Sequence, residues 1–277
     1  MNKDIIFLNP VCTHNIWGGT RLNREFGYPI EGDDIGECWG ISAHPSGDGT
    51  VASGAYKGMK LSELWEKHPG LFGDTGMDRF PLLVKIIDAK DDLSIQVHPD
   101  DAYAKVHENG SLGKTECWFI LDCKENATLV VGHNAKTKEE LEQMIHEGRW
   151  KEFIREIPIK PGDFIQIDPG TVHAIKGGTL LLETQQSSDI TYRVYDYDRL
   201  SNGKPRQLHI VQSIDVITVP AKSADNSVVH TEKKDDVIQQ LIQCPYYTVY
   251  RIDVEHRVET WQDKPVILMS VVGGGGT

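Results

Sequence analysis

Leu93-Ser94-Ile95-Gln96-Val97-His98 alternates apolar and polar side chains with period two. A strand turns successive side chains to opposite faces, so Ser94, Gln96 and His98 share one face and Leu93, Ile95 and Val97 the other. Downstream, Lys114-Thr115-Glu116-Cys117-Trp118 repeats the pattern, with Glu116 on the face opposite Cys117 and Lys114 on the face of Glu116. A third string, Gly170-Thr171-Val172-His173, brings a second imidazole. Taken singly, a histidine in a β-rich chain is ordinarily a hydrogen-bonded residue. Here each polar group interrupts an otherwise apolar strand, where an unpaired polar group costs about 1–3 kcal/mol. Gln96, His98, Glu116 and His173 together offer two imidazoles, a carboxylate and an amide oxygen, a donor set for one divalent metal. Three strands converging on one interior point are what a small β-barrel with a metal in its mouth would need.

The rest of the chain reads the same way. Short apolar runs are punctuated by turns such as Lys160-Pro161-Gly162-Asp163 and Asp168-Pro169-Gly170, the cadence of a jelly roll. Strands are expected over Arg155 to Ile159, Phe164 to Ile167, His173 to Ile175, Thr179 to Glu183 and Ile190 to Tyr195, then over Tyr246 to Val254 and Val266 to Val272. The clearest helix runs from Thr137 to about Glu147, where Thr137 and Glu140 form a capping box and Leu141, Met144 and Ile145 an apolar stripe. Shorter helices are expected from Leu61 to about His68 and, as a connecting helix, over Gln207 to Ile217, with Ala221 to Lys234 as a polar linker or exposed loop.

The 277 residues carry a net charge of −12, which argues against nucleic acid or an anionic membrane surface as partner. An anionic substrate would then need local lysine or arginine at the site, which suffices because the Debye length is about 8 Å at physiological salt. No apolar run approaches the roughly 20 residues of a membrane span, and Met1-Asn2-Lys3-Asp4 does not open a signal peptide, so the expected location is cytoplasmic. Five cysteines without a C-x-x-C pair are expected to be reduced thiols.

Ile16-Trp17-Gly18-Gly19, Gly36-Glu37-Cys38-Trp39, Ser42-Ala43-His44-Pro45, Leu93 to Asp101, Lys114 to Trp118, and Ser188 to Asp198 form an ordered set that resembles the short bacterial form of type I mannose-6-phosphate isomerase. The resemblance implies a mostly β fold of cupin-type jelly-roll barrels, bicupin-like, with a small helical insert near residues 137–154. It implies a metal-binding catalytic domain over residues 1–204, and a connecting helix with a partial second barrel over 205–277. That second barrel is expected to be incomplete, because the family's continues past Val272 whereas this chain runs into Gly273-Gly274-Gly275-Gly276-Thr277.

The same resemblance implies one zinc ion per chain, held by Gln96, His98, Glu116 and His173. The activity implied is interconversion of mannose 6-phosphate and fructose 6-phosphate through a cis-enediol(ate), with a small sugar phosphate as partner. Arg193 matches the family's active-site arginine. On the residues alone it reads rather as a surface ion pair with Asp196 or Asp198, and the resemblance reverses that reading. Glu183, after Leu180-Leu181-Leu182, and Lys114 are the expected proton carriers. Lys85, inside Leu83-Val84-Lys85-Ile86-Ile87, and Trp17 are expected to contact substrate. For Lys85, burial in so apolar a strand suggests a lowered pKa. Two other readings stay open: an iron-dependent cupin oxygenase, since two histidines and a carboxylate also bind iron, and a non-catalytic sugar-binding cupin. Oligomeric state is not legible.

Overall fold

The computed structural model describes residues 5–224 and 227–274; the Met1-Asn2-Lys3-Asp4 start and Gly275 to Thr277 lie outside them. Two antiparallel sheets carry the fold. Their strands, in chain order, are β1 (Val11–Gly19), β2 (Ile35–Ile41), β3 (Leu82–Ala89), β4 (Ile95–Val97), β5 (Glu116–Cys123), β6 (Thr128–His133), β7 (Ile154–Pro158), β8 (Asp163–Ile167), β9 (His173–Ala174), β10 (Thr179–Gln186), β11 (Tyr192–Tyr195) and β12 (Val228–His230). The larger sheet has the order β12-β8-β5-β10-β3-β1-β2, and the smaller β7-β6-β9-β4-β11.

The two sheets face each other across one apolar cluster. Ile87, Trp118, Ile120, Ile165 and Leu181 enter it from the larger sheet, and Leu129, Val131 and Ile157 from the smaller. Period-two alternation sends the intervening residues outward. From the smaller sheet Ile95, Val97, Val130 and Val194 pack against Leu141, Met144 and Ile145 of a helix. From the larger, Ile86 and Leu180 join Leu22 and Cys38. This is a two-layer β architecture, with Leu141, Met144 and Ile145 of a helix covering the outer face of the smaller sheet.

Helices α1 (Leu61–Lys67), α2 (Asp101–His107), α3 (Lys138–His146), α4 (Trp150–Phe153) and α5 (Ile210–Val216) are short. Thr137 caps α3 as expected: its Oγ1 accepts the Glu140 N–H at 3.2 Å, while Glu140 reaches back to the Lys136 N–H at 2.7 Å.

Four sequence expectations are corrected. Cys12 and Cys38 form a disulfide rather than standing as reduced thiols, because β1 and β2 pair with these two residues directly opposite, Cα atoms 4.0 Å apart; Cys117, Cys123 and Cys244 are free. The polar stretch Ala221 to Lys234 is not all linker, since β12 within it adds to the edge of β8. Val266 to Val272 forms no strand; Val266 and Leu268 instead pack against the aromatic group of Trp65, Phe72 and Phe80. The expected connecting helix is confined to α5. Beyond it, β13 (Val237–Gln243) and β14 (Thr248–Asp253) form a hairpin. Tyr247, at its turn, seats on Cys117 and Phe164 of the larger sheet.

Candidate metal centre and active site

One end of the barrel interior is apolar and the other is polar, and register explains the division. His173 on β9 and Arg193 on β11 both pair with Gln96 on β4, so the three share the inner face of the smaller sheet. Opposite them, Glu183 on β10 pairs with Lys85 on β3, which in turn pairs with Trp39 on β2. Glu116 opens β5 on the same inner face as Trp118. His98, one residue beyond β4, is held by a bond from the Gly170 N–H to its carbonyl at 2.9 Å. Gly170 has φ +79°, and a Cβ there would lie 2.4 Å from Thr218 Oγ1, so the turn leading into His173 requires glycine.

His98, Glu116 and His173 are buried and present their donor atoms to one point. The two Nε2 atoms are 3.1 Å apart, and the Glu116 oxygens lie 3.3 Å from each. Donors at about 2.1 Å from a tetrahedral ion would be about 3.4 Å apart, so these separations fit a first-row divalent metal. The protonation pattern fits as well. His173 Nδ1 donates to the Thr171 carbonyl at 2.8 Å, which leaves a lone pair on Nε2 facing the Glu116 carboxylate and the other imidazole. Neither Glu116 oxygen accepts a directed hydrogen bond. Buried acceptors turned on one another in this way could hold a cation.

Burial, reinforced by the Lys114 ammonium, pushes the His98 imidazole down to about 3. Burial lowers His173 too. Burial acts to raise Glu116, but the Lys114 charge and the two imidazoles outweigh it and hold the carboxyl well below its ordinary range. Two neutral imidazoles and one carboxylate are the forms that bind metal. Gln96 sits beside them, its Nε2 3.3 Å from His173 Nε2; half a turn of the amide brings its oxygen there instead.

Cations and carboxylates surround this trio. Lys114 Nζ lies 2.9 Å from Glu116 Oε2, 3.1 Å from His98 Nε2 and 3.9 Å from Glu183 Oε1. Glu183 Oε2 accepts the Trp118 indole N–H at 3.1 Å. Burial and the Glu116 charge push the Glu183 carboxyl up, against the pull of Lys85 and Lys114. Lys85 Nζ lies 3.2 Å from Glu37 and 3.3 Å from Glu183. Burial lowers its pKa, but the carboxylates of Glu183, Glu37 and Glu116 together outweigh that, so the ammonium is held above its ordinary value, opposite to the sequence expectation.

Glu37, to which its sequence motif assigns no role, joins the site by accepting from both Lys85 and the Trp39 indole N–H, the latter at 2.7 Å. Its signal was a lone acid in an apolar strand. Arg193 donates from Nη1 to the Gln207 carbonyl at 2.8 Å, and its buried Nε has no partner. Asp196 is bound instead by Arg199 and Arg206, at 2.6 and 2.7 Å. Trp17 lies in the apolar cluster that also holds Trp118.

Two facing antiparallel sheets with a buried His-Glu-His trio at their polar end make a cupin-type β architecture with a candidate metal site. Comparison with known proteins then narrows it. Residues 5–120 match the family model for the type I phosphomannose isomerase catalytic domain. The chain is 51% identical over 277 residues to mannose-6-phosphate isomerase ManA of Bacillus subtilis (strain 168), covering all of this chain and 88% of that protein. It is 48% identical over 272 residues to the mannose-6-phosphate isomerase of Streptococcus mutans serotype c (strain ATCC 700610 / UA159), covering 98% and 85%. Its fold matches the crystal structure of the mannose 6-phosphate isomerase from Bacillus subtilis with a TM-score of 0.81 at 52% identity, over 88% of this chain and 78% of that one. The chain belongs to the type I mannose-6-phosphate isomerase family.

Proposed function

We propose that this protein interconverts mannose 6-phosphate and fructose 6-phosphate through a cis-enediol(ate). The ion is zinc, one per chain, held by His98, Glu116, His173 and the amide oxygen of Gln96. The observation that carries this reading is the convergence of the His98, Glu116 and His173 lone-pair donors, with 3.1–3.3 Å between them, in a chain of that family. In the isomerisation a proton leaves C2 of the open-chain sugar and returns at C1 while negative charge builds on oxygen. A bound divalent ion supplies Lewis-acid stabilisation of that charge.

The chain's own residues supply the rest. Glu183, whose carboxyl is raised toward neutrality, takes and returns the proton. Lys114, between Glu183 and Glu116, delivers protons to the sugar oxygens. Lys85 is the counter-charge that orients Glu183, and it lends the polar end a positive charge toward the phosphorylated substrate. Arg193, on the inner face beside Gln96, offers its free Nε to the developing oxygen charge or the phosphate. Trp17 backs this arrangement from the apolar cluster. These cations overcome the −12 net charge locally. A phosphorylated sugar as substrate supports a cytoplasmic location; among the described residues no helix is long and apolar enough to cross a membrane.

A coupled assay on mannose 6-phosphate, run before chelation, after it, and after zinc is added back, tests the reading. Activity that disappears on chelation and returns with zinc supports it. A metal-loaded protein that does not turn over mannose 6-phosphate overturns it.

A further inference from the structure

The residues that follow His98, namely Pro99-Asp100-Asp101, bind down the segment Gly113-Lys114-Thr115 at two of its three amides, and Gln186, itself bonded to Asp101, takes the third. The Lys114 N–H donates to the Pro99 carbonyl at 3.0 Å. Asp101 Oδ1 accepts the Gly113 N–H at 2.7 Å and Gln186 Nε2 at 2.9 Å. That same Gln186 takes the Thr115 N–H on its Oε1 at 2.9 Å. Asp101 Oδ2 accepts the Tyr246 hydroxyl at 2.9 Å, which ties in the chain just before β14. A Cβ at position 113 would lie 2.4 Å from the Asp100 carbonyl carbon, so the segment passes this close only because residue 113 is glycine. Asp100 meanwhile caps α2 by accepting the Tyr103 N–H at 2.8 Å, which anchors the other side of the contact.

We propose that Asp101 is a positioning residue of the isomerisation, its carboxylate fixing the Gly113 to Thr115 segment and so aiming the Lys114 ammonium between Glu116 and Glu183. The proposal rests on the catalytic reading of Lys114. Lysine carries its charge on a flexible four-carbon stem, so the placement of Nζ is set by how firmly the backbone beneath it is held. One carboxylate has acceptor sites for all three donors. An amide has one accepting oxygen, and its NH₂ would face a donor. The metal ligands are held separately: His173 and Glu116 lie in strands, and His98 is bonded to Gly170. Loosening Asp101 therefore moves the ammonium and leaves the trio in place.

The test is a double-mutant cycle on the zinc-loaded enzyme, reading kcat, KM for mannose 6-phosphate and metal content. Asp101→Asn is expected to lower kcat about 10- to 100-fold, the scale of a misplacement near 1 Å, with KM within about threefold and full metal. In a Lys114→Ala background the same substitution lowers kcat by no more than about twofold, because its route of action is already gone. A loss of equal size in both backgrounds, or a kcat for Asp101→Asn within about threefold of the parent, overturns the proposal. Should Asp101→Asn not fold, Tyr246→Phe runs the same cycle. A loss of about threefold or more confined to the Lys114-containing enzyme supports the proposal, and no loss or an additive one overturns it. Parent-like turnover by Lys114→Ala alone overturns the catalytic reading of Lys114 and this proposal with it. A slow Lys114→Ala with an additive cycle overturns only the role of Asp101.

Discussion

Lys85 and Glu183 stand directly opposite each other on β3 and β10, with Nζ 3.3 Å from Oε1 and both side chains buried. Glu37 meets the same ammonium from β2. Replacing Lys85 by Met would leave two buried carboxylates without their counter-charge. Breaking a buried ion pair from one side costs about 3–5 kcal/mol, so Lys85→Met is expected to lower unfolding stability by that amount in urea titration. A loss below about 1 kcal/mol would show that the carboxylates are compensated elsewhere.

His98→Ala and His173→Ala are each expected to abolish stoichiometric metal and turnover together, read by elemental analysis of the purified protein and the coupled assay. Gln96→Ala should retain partial occupancy, because a neutral amide oxygen is the weakest donor of the set. Full metal content in both histidine variants would remove the trio from consideration as the binding site.

Arg193→Ala is expected to fold and to keep its metal, since Arg193 is bonded to the Gln207 carbonyl and not to the trio. Its kcat should fall by about 10²–10³, about 3–4 kcal/mol, the usual effect of losing one preorganised donor to developing oxygen charge. A kcat within about threefold of the parent would place Arg193 outside the chemistry.

Asp196 gives a pH-dependent prediction. Burial acts to raise its carboxyl, but the Arg206 and Arg199 guanidiniums outweigh this and hold it below the ordinary 3.8. A folded-state value below the unfolded one stabilises the fold above the unfolded pKa, and this stability is lost as pH falls through the folded value. Asp196→Asn is therefore expected to cost about 2–3 kcal/mol at pH 7, somewhat less than a fully buried pair because both arginines stay partly hydrated. The gap to the parent should close below pH 3.8, and a gap independent of pH would mean that the ion pairs contribute little.

Thr137→Ala should cost about 1 kcal/mol through loss of the α3 cap, with kcat unchanged, and serves as a control for variants that act on stability alone. A larger drop in kcat than in stability would tie the helix to the site.

How far the sequence reached follows from the range of each signal. The alternation through Ile95-Gln96-Val97 fixed which side chains face inward, because a strand's pleat is a local property that no partner can reverse without unpairing the ladder. The same rule placed Glu116 and Cys117 on opposite faces, and local capping chemistry marked the start of α3. An imidazole or carboxylate interrupting an apolar run announces a buried polar site, so His98, Glu116 and His173 stood out as candidates, and the family resemblance was needed to group them as one set.

What the tertiary structure alone decided were the partners across strands. Cys12 and Cys38 lie 26 residues apart and meet only because β1 and β2 pair in that register. The charge state of Lys85 depends on carboxylates delivered by β2 and β10, so burial, the one factor visible in its own strand, pointed the wrong way. Asp196 is taken by Arg199 and Arg206, which leaves Arg193 to the inner face. The apolar run Val266 to Val272 carried a strand's composition, yet no strand forms there, and Val266 and Leu268 are spent on packing near Trp65. Periodicity along a chain specifies faces; register between strands distant in sequence specifies contacts, and only the folded sheet sets that register.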